Sequence, residues 1–187
     1  SSLCDKCVEV CPNRCNYTFL ISPVSLSLQK VSCHQGMLRA SGEESFRITQ
    51  DRQIVHIHDF CNECGDCTTF CMHDGKPYAD KPRLFLERKD FEREADNAFH
   101  IEKVNGGWVI RRREGGKESS LHLEGETGEM AFENEWLRIR LSSDFRIKGM
   151  ELKGDFQGKF SLVGPAEVYV ILEGVTSSLP FLPFAGG

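Results

Sequence analysis

The stretch Cys61-Asn62-Glu63-Cys64-Gly65-Asp66-Cys67-Thr68-Thr69-Phe70-Cys71 decides how this chain is read. Its spacing, C-x2-C-x2-C-x3-C, is the one bacterial ferredoxins use to hold [4Fe-4S] clusters. A cubane needs four thiolates at the corners of a tetrahedron. Three come from one short loop, and the fourth comes from a residue that has already turned away. In two-cluster proteins that fourth cysteine ligates the other cluster, so one motif predicts a second. The second is Cys4-Asp5-Lys6-Cys7-Val8-Glu9-Val10-Cys11-Pro12, near the start of the chain. Cys61, Cys64 and Cys67 are thus expected on one cluster with Cys11 crossing to them, and Cys4 and Cys7 on the other with Cys71 crossing in return.

Counting back from Cys11, regular spacing asks for one more cysteine at position 1, where the residue is Ser1. Three explanations stay open. The chain begins mid-protein and the ligand lies just upstream; or Cys15 supplies it, in the spacing C-x2-C-x3-C-x3-C; or the first site is empty, three-iron or degraded. The competing metal is zinc, since four-thiolate zinc sites also use C-x2-C pairs. Zinc ribbons, however, separate two such pairs by a longer spacer, and the closely following third and fourth cysteines favour a cubane. Pro12 matches the proline that ends the motif, whereas Met72 stands in that place after Cys71 and leaves the turn looser. Gly65 lets the backbone pass close to inorganic sulfide, where amide N–H groups tune the potential.

The rest of the chain sets bounds. At 187 residues there is room for one ordinary domain or two small ones. A formal charge of −5 argues against a nucleic-acid footprint, which needs a basic patch. No apolar run approaches the roughly 18 residues of a membrane span, and no secretory pattern opens the chain. Eight of the nine cysteines fall in two tight groups, which reads as metal ligation in a reducing, cytoplasmic setting and not as a disulfide scaffold. Cys33, outside both groups, reads as a free, partly buried thiol. His56 and His58 share one face of a strand and are expected to pack or to face solvent, and His34, His73, His100 and His122 suggest no metal site. Arg111-Arg112-Arg113 reads as a solvated hairpin end, and Asp90, Glu92, Glu94 and Asp96 as a charged surface. There is no catalytic triad and no glycine-rich nucleotide fingerprint, so no catalytic residue is named.

Residues 17–22 and 53–58 have the β-branched and aromatic content of short strands. Residues 38–44, with Ser41-Gly42, read as a turn or exposed loop. Cys11 and Cys61 are fifty positions apart, which implies a hairpin inserted into a minimal two-cluster unit. Further on, residues 98–104 and 108–113 flank Asn105-Gly106-Gly107 as a hairpin. Residues 121–123, 136–141 and 145–152 alternate as half-buried strands. Residues 165–178 fit either a closing helix or a strand. The expected fold is α+β: a ferredoxin-like two-cluster domain over residues 1–82, followed by a small, mostly β domain over residues 83–187.

The run Val8-Glu9-Val10-Cys11-Pro12-Asn13-Arg14, then Cys61–Cys71, then Gly75-Lys76-Pro77-Tyr78-Ala79-Asp80-Lys81 resembles the C-terminal part of the selenate reductase iron–sulfur subunit family. Those proteins are flavin-containing oxidoreductases related to the small subunit of glutamate synthase and to dihydropyrimidine dehydrogenase. The likeness is specific over residues 4–15 and 53–91 and weak over the tail. It implies an upstream region of the same protein that binds FAD and a nicotinamide nucleotide, and a first loop with one more cysteine before the segment matching Ser1. Met72 and Cys15 depart from the family pattern without removing a predicted ligand. The functional expectation is an electron-transfer module that relays single electrons through two [4Fe-4S] clusters between a flavin and a redox partner protein. The alternatives are a zinc-stabilised interaction module and clusters that are structural only.

Overall fold

The structure is a computed structural model and describes residues 4–184. The first cysteine loop carries one helical turn, α1 (Lys6–Glu9), and leads into β1 (Asn16–Leu20). A long hairpin follows, β2 (Val24–His34) and β3 (Met37–Ile48), and then β4 (Arg52–Ile57). A 3-10 turn at His58–Phe60 opens the second cysteine loop, whose helical turn is α2 (Asp66–Thr69). The single turns α3 (Pro77–Asp80) and α4 (Arg88–Phe91) flank the short strand β5 (Arg83–Leu84). The chain then meanders through β6 (Ala98–Val104), β7 (Gly107–Glu114), β8 (Lys117–Glu124), β9 (Met130–Glu133), β10 (Leu137–Leu141), β11 (Ile147–Leu152) and β12 (Gly158–Phe160), and closes with α5 (Val163–Ser178).

Among the described residues nine strands form one sheet in the order β1-β4-β5-β6-β7-β8-β9-β10-β11, and three more form a second, β12-β2-β3. This overturns the expected α+β fold with a ferredoxin-like cluster module set before a separate β-rich unit. The protein is mostly β, with one long helix. The physical reason is that β1 and β4 do not close on themselves. β4 pairs in parallel with β5, and β5 in parallel with β6, so the sheet runs on without a break. The inserted hairpin is present, but β12 from the far end of the chain pairs with it. One core joins both halves of the chain, with Phe19, Leu28 and Val55 in the same apolar cluster as Leu137, Ile139 and Leu172.

Local signals explain most element boundaries. β10 alternates buried Leu137, Ile139 and Leu141 with exposed Arg138 and Arg140, as a strand with one wet face does. In β3 the Ser41-Gly42 pair, expected to turn, instead forms a β-bulge: the two residues oppose Lys30 alone, and Gly42 takes φ 63°. The turn comes earlier, at Gln35-Gly36, both with positive φ as a two-residue hairpin loop requires. The Arg111-Arg112-Arg113 run lies inside β7, not at a solvated end. Its side chains pair with Glu102 at 3.1 Å, Glu114 at 2.7 Å and Glu118 at 3.5 Å respectively. Cys33 is a buried free thiol on β2.

The ambiguous C-terminal run is a helix. Sixteen residues exceed the usual length of a strand, and Pro165 is tolerated because it falls in the first turn. Helix α5 lies against β1, with Gly174 at the closest approach. A Cβ there would run into the Phe19 ring and stand 2.8 Å from the Leu20 carbonyl oxygen. Gly174→Val is therefore expected to force the helix off the sheet and to destabilise the protein by about 1–3 kcal/mol. Denaturant titration of the variant beside wild type measures this, and an unchanged midpoint would refute the close packing.

Candidate thiol site between the cysteine loops

The two cysteine loops repeat one local structure. Cys4 and Cys64 are each followed by a left-handed residue that caps a helical turn: Asp5 at φ 52° before α1, and Gly65 at φ 84° before α2. Glycine adopts that conformation freely and aspartate tolerates it. Asp5 is held there by Arg52, whose Nη2 and Nε lie 2.9 and 3.1 Å from its Oδ2. Each turn buries its own cysteine, Cys7 in α1 and Cys67 in α2. Cys11 and Cys71 emerge directly after the C-cap residues Val10 and Phe70. The loops touch through Asn13, whose Nδ2 donates to Asn62 Oδ1 at 2.6 Å.

Between the loops lies a narrow cavity, with room for about one water, lined by five thiols: Cys11, Cys15, Cys61, Cys64 and Cys67. Cys11 thus joins the three cysteines of the opposite loop. Two backbone amides donate to sulfur, Cys15 N–H to Cys11 Sγ at 3.2 Å and Glu63 N–H to Cys61 Sγ at 3.3 Å. Burial pushes the Cys67 thiol above its ordinary pKa. Cys15 is raised far more, first by burial and then by the neighbouring Cys11 thiol. In the first loop, burial raises Cys7 while the charge of Lys81 works the other way. Cys4 is exposed. Cys71 is half-buried and does not line the cavity; an added Cβ at Gly75 would lie 3.7 Å from its Sγ. Ser1 lies outside the described residues. Among those residues no three His, Cys, Asp or Glu side chains converge as a single bound metal ion would require. No described helix is long and apolar enough to cross a membrane.

Beneath the thiols sits a buried polar pair that the sequence did not single out. Asn16 on β1 stands opposite His56 on β4. Asn16 Nδ2 donates to the Cys7 carbonyl at 2.9 Å, so its Oδ1 is left to accept from His56 Nδ1–H, also at 2.9 Å. This bond fixes the tautomer. His56 Nε2 carries the lone pair, is buried without a partner, and belongs to a ring that lines the thiol cavity together with Tyr78. Burial lowers the His56 pKa to about 4, with the charges of His58 and Arg83 adding to the effect. A sequence signal was available: a polar residue at each end of two short strands that abut the cysteine loops. Its meaning depends on a register visible only in the fold. Soft thiol donors of this kind suit zinc, copper(I) and iron–sulfur clusters.

Comparison with known proteins gives a distant likeness to part of two curated proteins of the same name. The chain is similar to "Putative oxidoreductase YgfK" of Escherichia coli K12, 31% identical over 116 residues that cover 58% of this chain and 9% of that protein. The protein of the same name in Escherichia coli O157:H7 matches to the same extent. The chain therefore spans about 9% of the length of the curated relatives it matches. The likeness is to a small part of proteins named as oxidoreductases and goes no finer. No family model matches, and no solved structure does.

His56 gives a pH prediction. Its folded pKa of about 4 lies below the ordinary 6.5, so between those values the unfolded chain binds the proton and the folded one does not. Stability is full above pH 6.5 and falls toward pH 4, with a contribution on the order of 3 kcal/mol. His56→Gln keeps a donor for Asn16 and does not titrate. Denaturation midpoints across this range should fall less steeply in the variant, and equal slopes would refute the assignment.

Proposed function

We propose that this chain is an electron-transfer segment of an oxidoreductase whose two cysteine loops hold two [4Fe-4S] clusters. One would rest on Cys61, Cys64 and Cys67 with Cys11 from the first loop. The other would rest on Cys4, Cys7 and Cys71 with one further donor. When bound, such clusters supply one-electron transfer. The observation that carries this reading is the convergence on one cavity of thiols from two loops fifty positions apart.

The chain's own residues fit the group. The donors are all sulfur, and a cubane, with a separate iron under each thiolate, does not require them to meet at one point as a zinc ion does. The amides of Cys15 and Glu63 already donate to sulfur, which favours thiolate and tunes potential. Cys4 and Cys64 are exposed and so open to solvent-borne iron and sulfide. Asn16 and His56 hold the Cys7 carbonyl against β4 and so keep the first loop in register with the second. The likeness to a named oxidoreductase supports a redox role. Electrons would come from a flavin and a nicotinamide nucleotide bound elsewhere in the whole protein and would leave to a redox partner protein.

Anaerobic reconstitution with ferrous iron and sulfide tests the proposal. The expected product is brown, binds iron and acid-labile sulfide in equal amounts, and gives a paramagnetic signal on reduction with dithionite. Cys11→Ser and Cys61→Ser should each lose the same cluster, while Cys33→Ser loses none. Circular dichroism checks that each variant is folded. A colourless protein that takes up zinc and no iron–sulfur chromophore would overturn the proposal in favour of a zinc-stabilised module.

A further inference from the structure

A cleft of about 670 Å³ opens between the β2–β3 hairpin and α5, apart from the thiol cavity. Its volume falls in the range of small-molecule sites. We propose that it binds a planar organic anion, a conjugated ring system bearing carboxylate, sulfonate or phosphate groups. Three largely buried aromatic side chains, Phe19, Phe46 and Phe99, line it from β1, β3 and β6 and make its inner wall apolar, with the Arg112 guanidinium already over the Phe99 ring.

Its charges set the sign of the ligand. Arg47 and Lys81 both line the cleft, and among the described residues neither forms an ion pair. Arg47, Lys81 and Arg112 outnumber the two carboxylates of the lining, Asp80 and Glu167, each of which has a partner of its own. Asp80 Oδ2 accepts the Lys76 N–H at 2.5 Å, and Glu167 lies 3.7 Å from Arg112. In a chain of net charge −5, two cations without an ion-pair partner beside an apolar wall favour an anion, although the charge of Lys81 also reaches Cys7. The site is also firmly built. Asn97 Nδ2 donates to the carbonyls of Ala79 and Lys81 at 2.7 and 2.8 Å, which fixes the segment that carries Lys81.

The cleft and the thiol cavity are neighbours. Tyr78 lines the cavity, and Asp80, Lys81 and Pro82, a few residues on, line the cleft. A ligand held there would lie one short segment from the cysteine loops.

Isothermal titration of the full chain with anthraquinone-2,6-disulfonate, a flat dianion, tests the inference, with methyl viologen, a flat dication, as the control. The expected result is saturable binding of the dianion and none of the dication. Lys81→Glu and Arg47→Glu should each weaken binding at least about tenfold, whereas Lys148→Glu, on the exposed part of β11, leaves it unchanged. Ile171→Trp, which fills the cleft from α5, should block binding without loss of the thermal transition. Absence of saturable binding, equal affinity in the charge-reversal variants, or equal binding of the dication would overturn it.

Discussion

The antiparallel pairing of β1 with β4 is the constraint on which the site depends. The first cysteine loop ends where β1 begins, and β4 ends where the second loop approaches. In an antiparallel pair the start of one strand lies beside the end of the other, so both loops must emerge at the same end of the sheet. The register makes this specific. Asn16 stands opposite His56, and the Ile57 N–H donates to the Cys15 carbonyl at 2.7 Å, carrying the ladder to the edge of the thiol cavity. A slip of one residue would turn every side chain of either strand to the other face. It would take His56 away from Asn16 and set the loops out of step.

β4 is buried on both faces, and each face serves a different layer. Val55 and Ile57 belong to the main core, while Ile54 packs with Cys7 and Cys67 under the loops. His56 lies on that second face. A buried imidazole without a charge partner is tolerated because it stays neutral and gives its one N–H to Asn16. The main core holds the other face in place through α5, which reaches β1 closely enough only because residue 174 has no side chain. The helix at the end of the chain thus steadies the strand at its beginning, so the cysteine loops rest on a platform built from the whole sequence.

What the sequence disclosed and what it withheld follow from the range of the interactions. Cysteine spacing is local, so the two loops were legible from residues 4–15 and 61–71, and the strands beside them from the β-branched and aromatic residues of 17–22 and 53–58, whereas the matching helical turns were not foreseen. The hairpin around Asn105-Gly106 was legible for the same reason. The join between halves was not. It rests on parallel pairing of β4 with β5 over two residues and on β12 meeting β2 more than a hundred positions away, and neither leaves a mark in composition. Ser41-Gly42 misled because glycine serves a bulge as well as a turn. The arginine run misled because charged residues on a strand find partners across the ladder, at Glu102 and Glu118, which are invisible along the chain. His56 was read as ordinary packing because its importance comes from Asn16, forty positions earlier.

The five thiols set a final condition on the site. With their pKa values raised by burial and then by the neighbouring Cys11 and Cys61 thiols, Cys15 and Cys67 favour the protonated form in the folded chain. Their stabilisation is present below the ordinary thiol pKa of 9.0 and is lost as pH rises past it, because the unfolded chain then gives up protons that the folded chain retains. Crowded thiolates could not remain together unaided, since each new charge repels the next in a poorly hydrated space. Such a cavity is therefore stable in two ways: as uncharged thiols packed against each other, or as thiolates neutralised by a cationic centre. Passage from the first to the second would release protons. The sulfur-directed amides of Cys15 and Glu63 favour the second state and the burial of Cys15 the first. A balance between opposed local effects is what lets five thiols share one cavity in the folded chain.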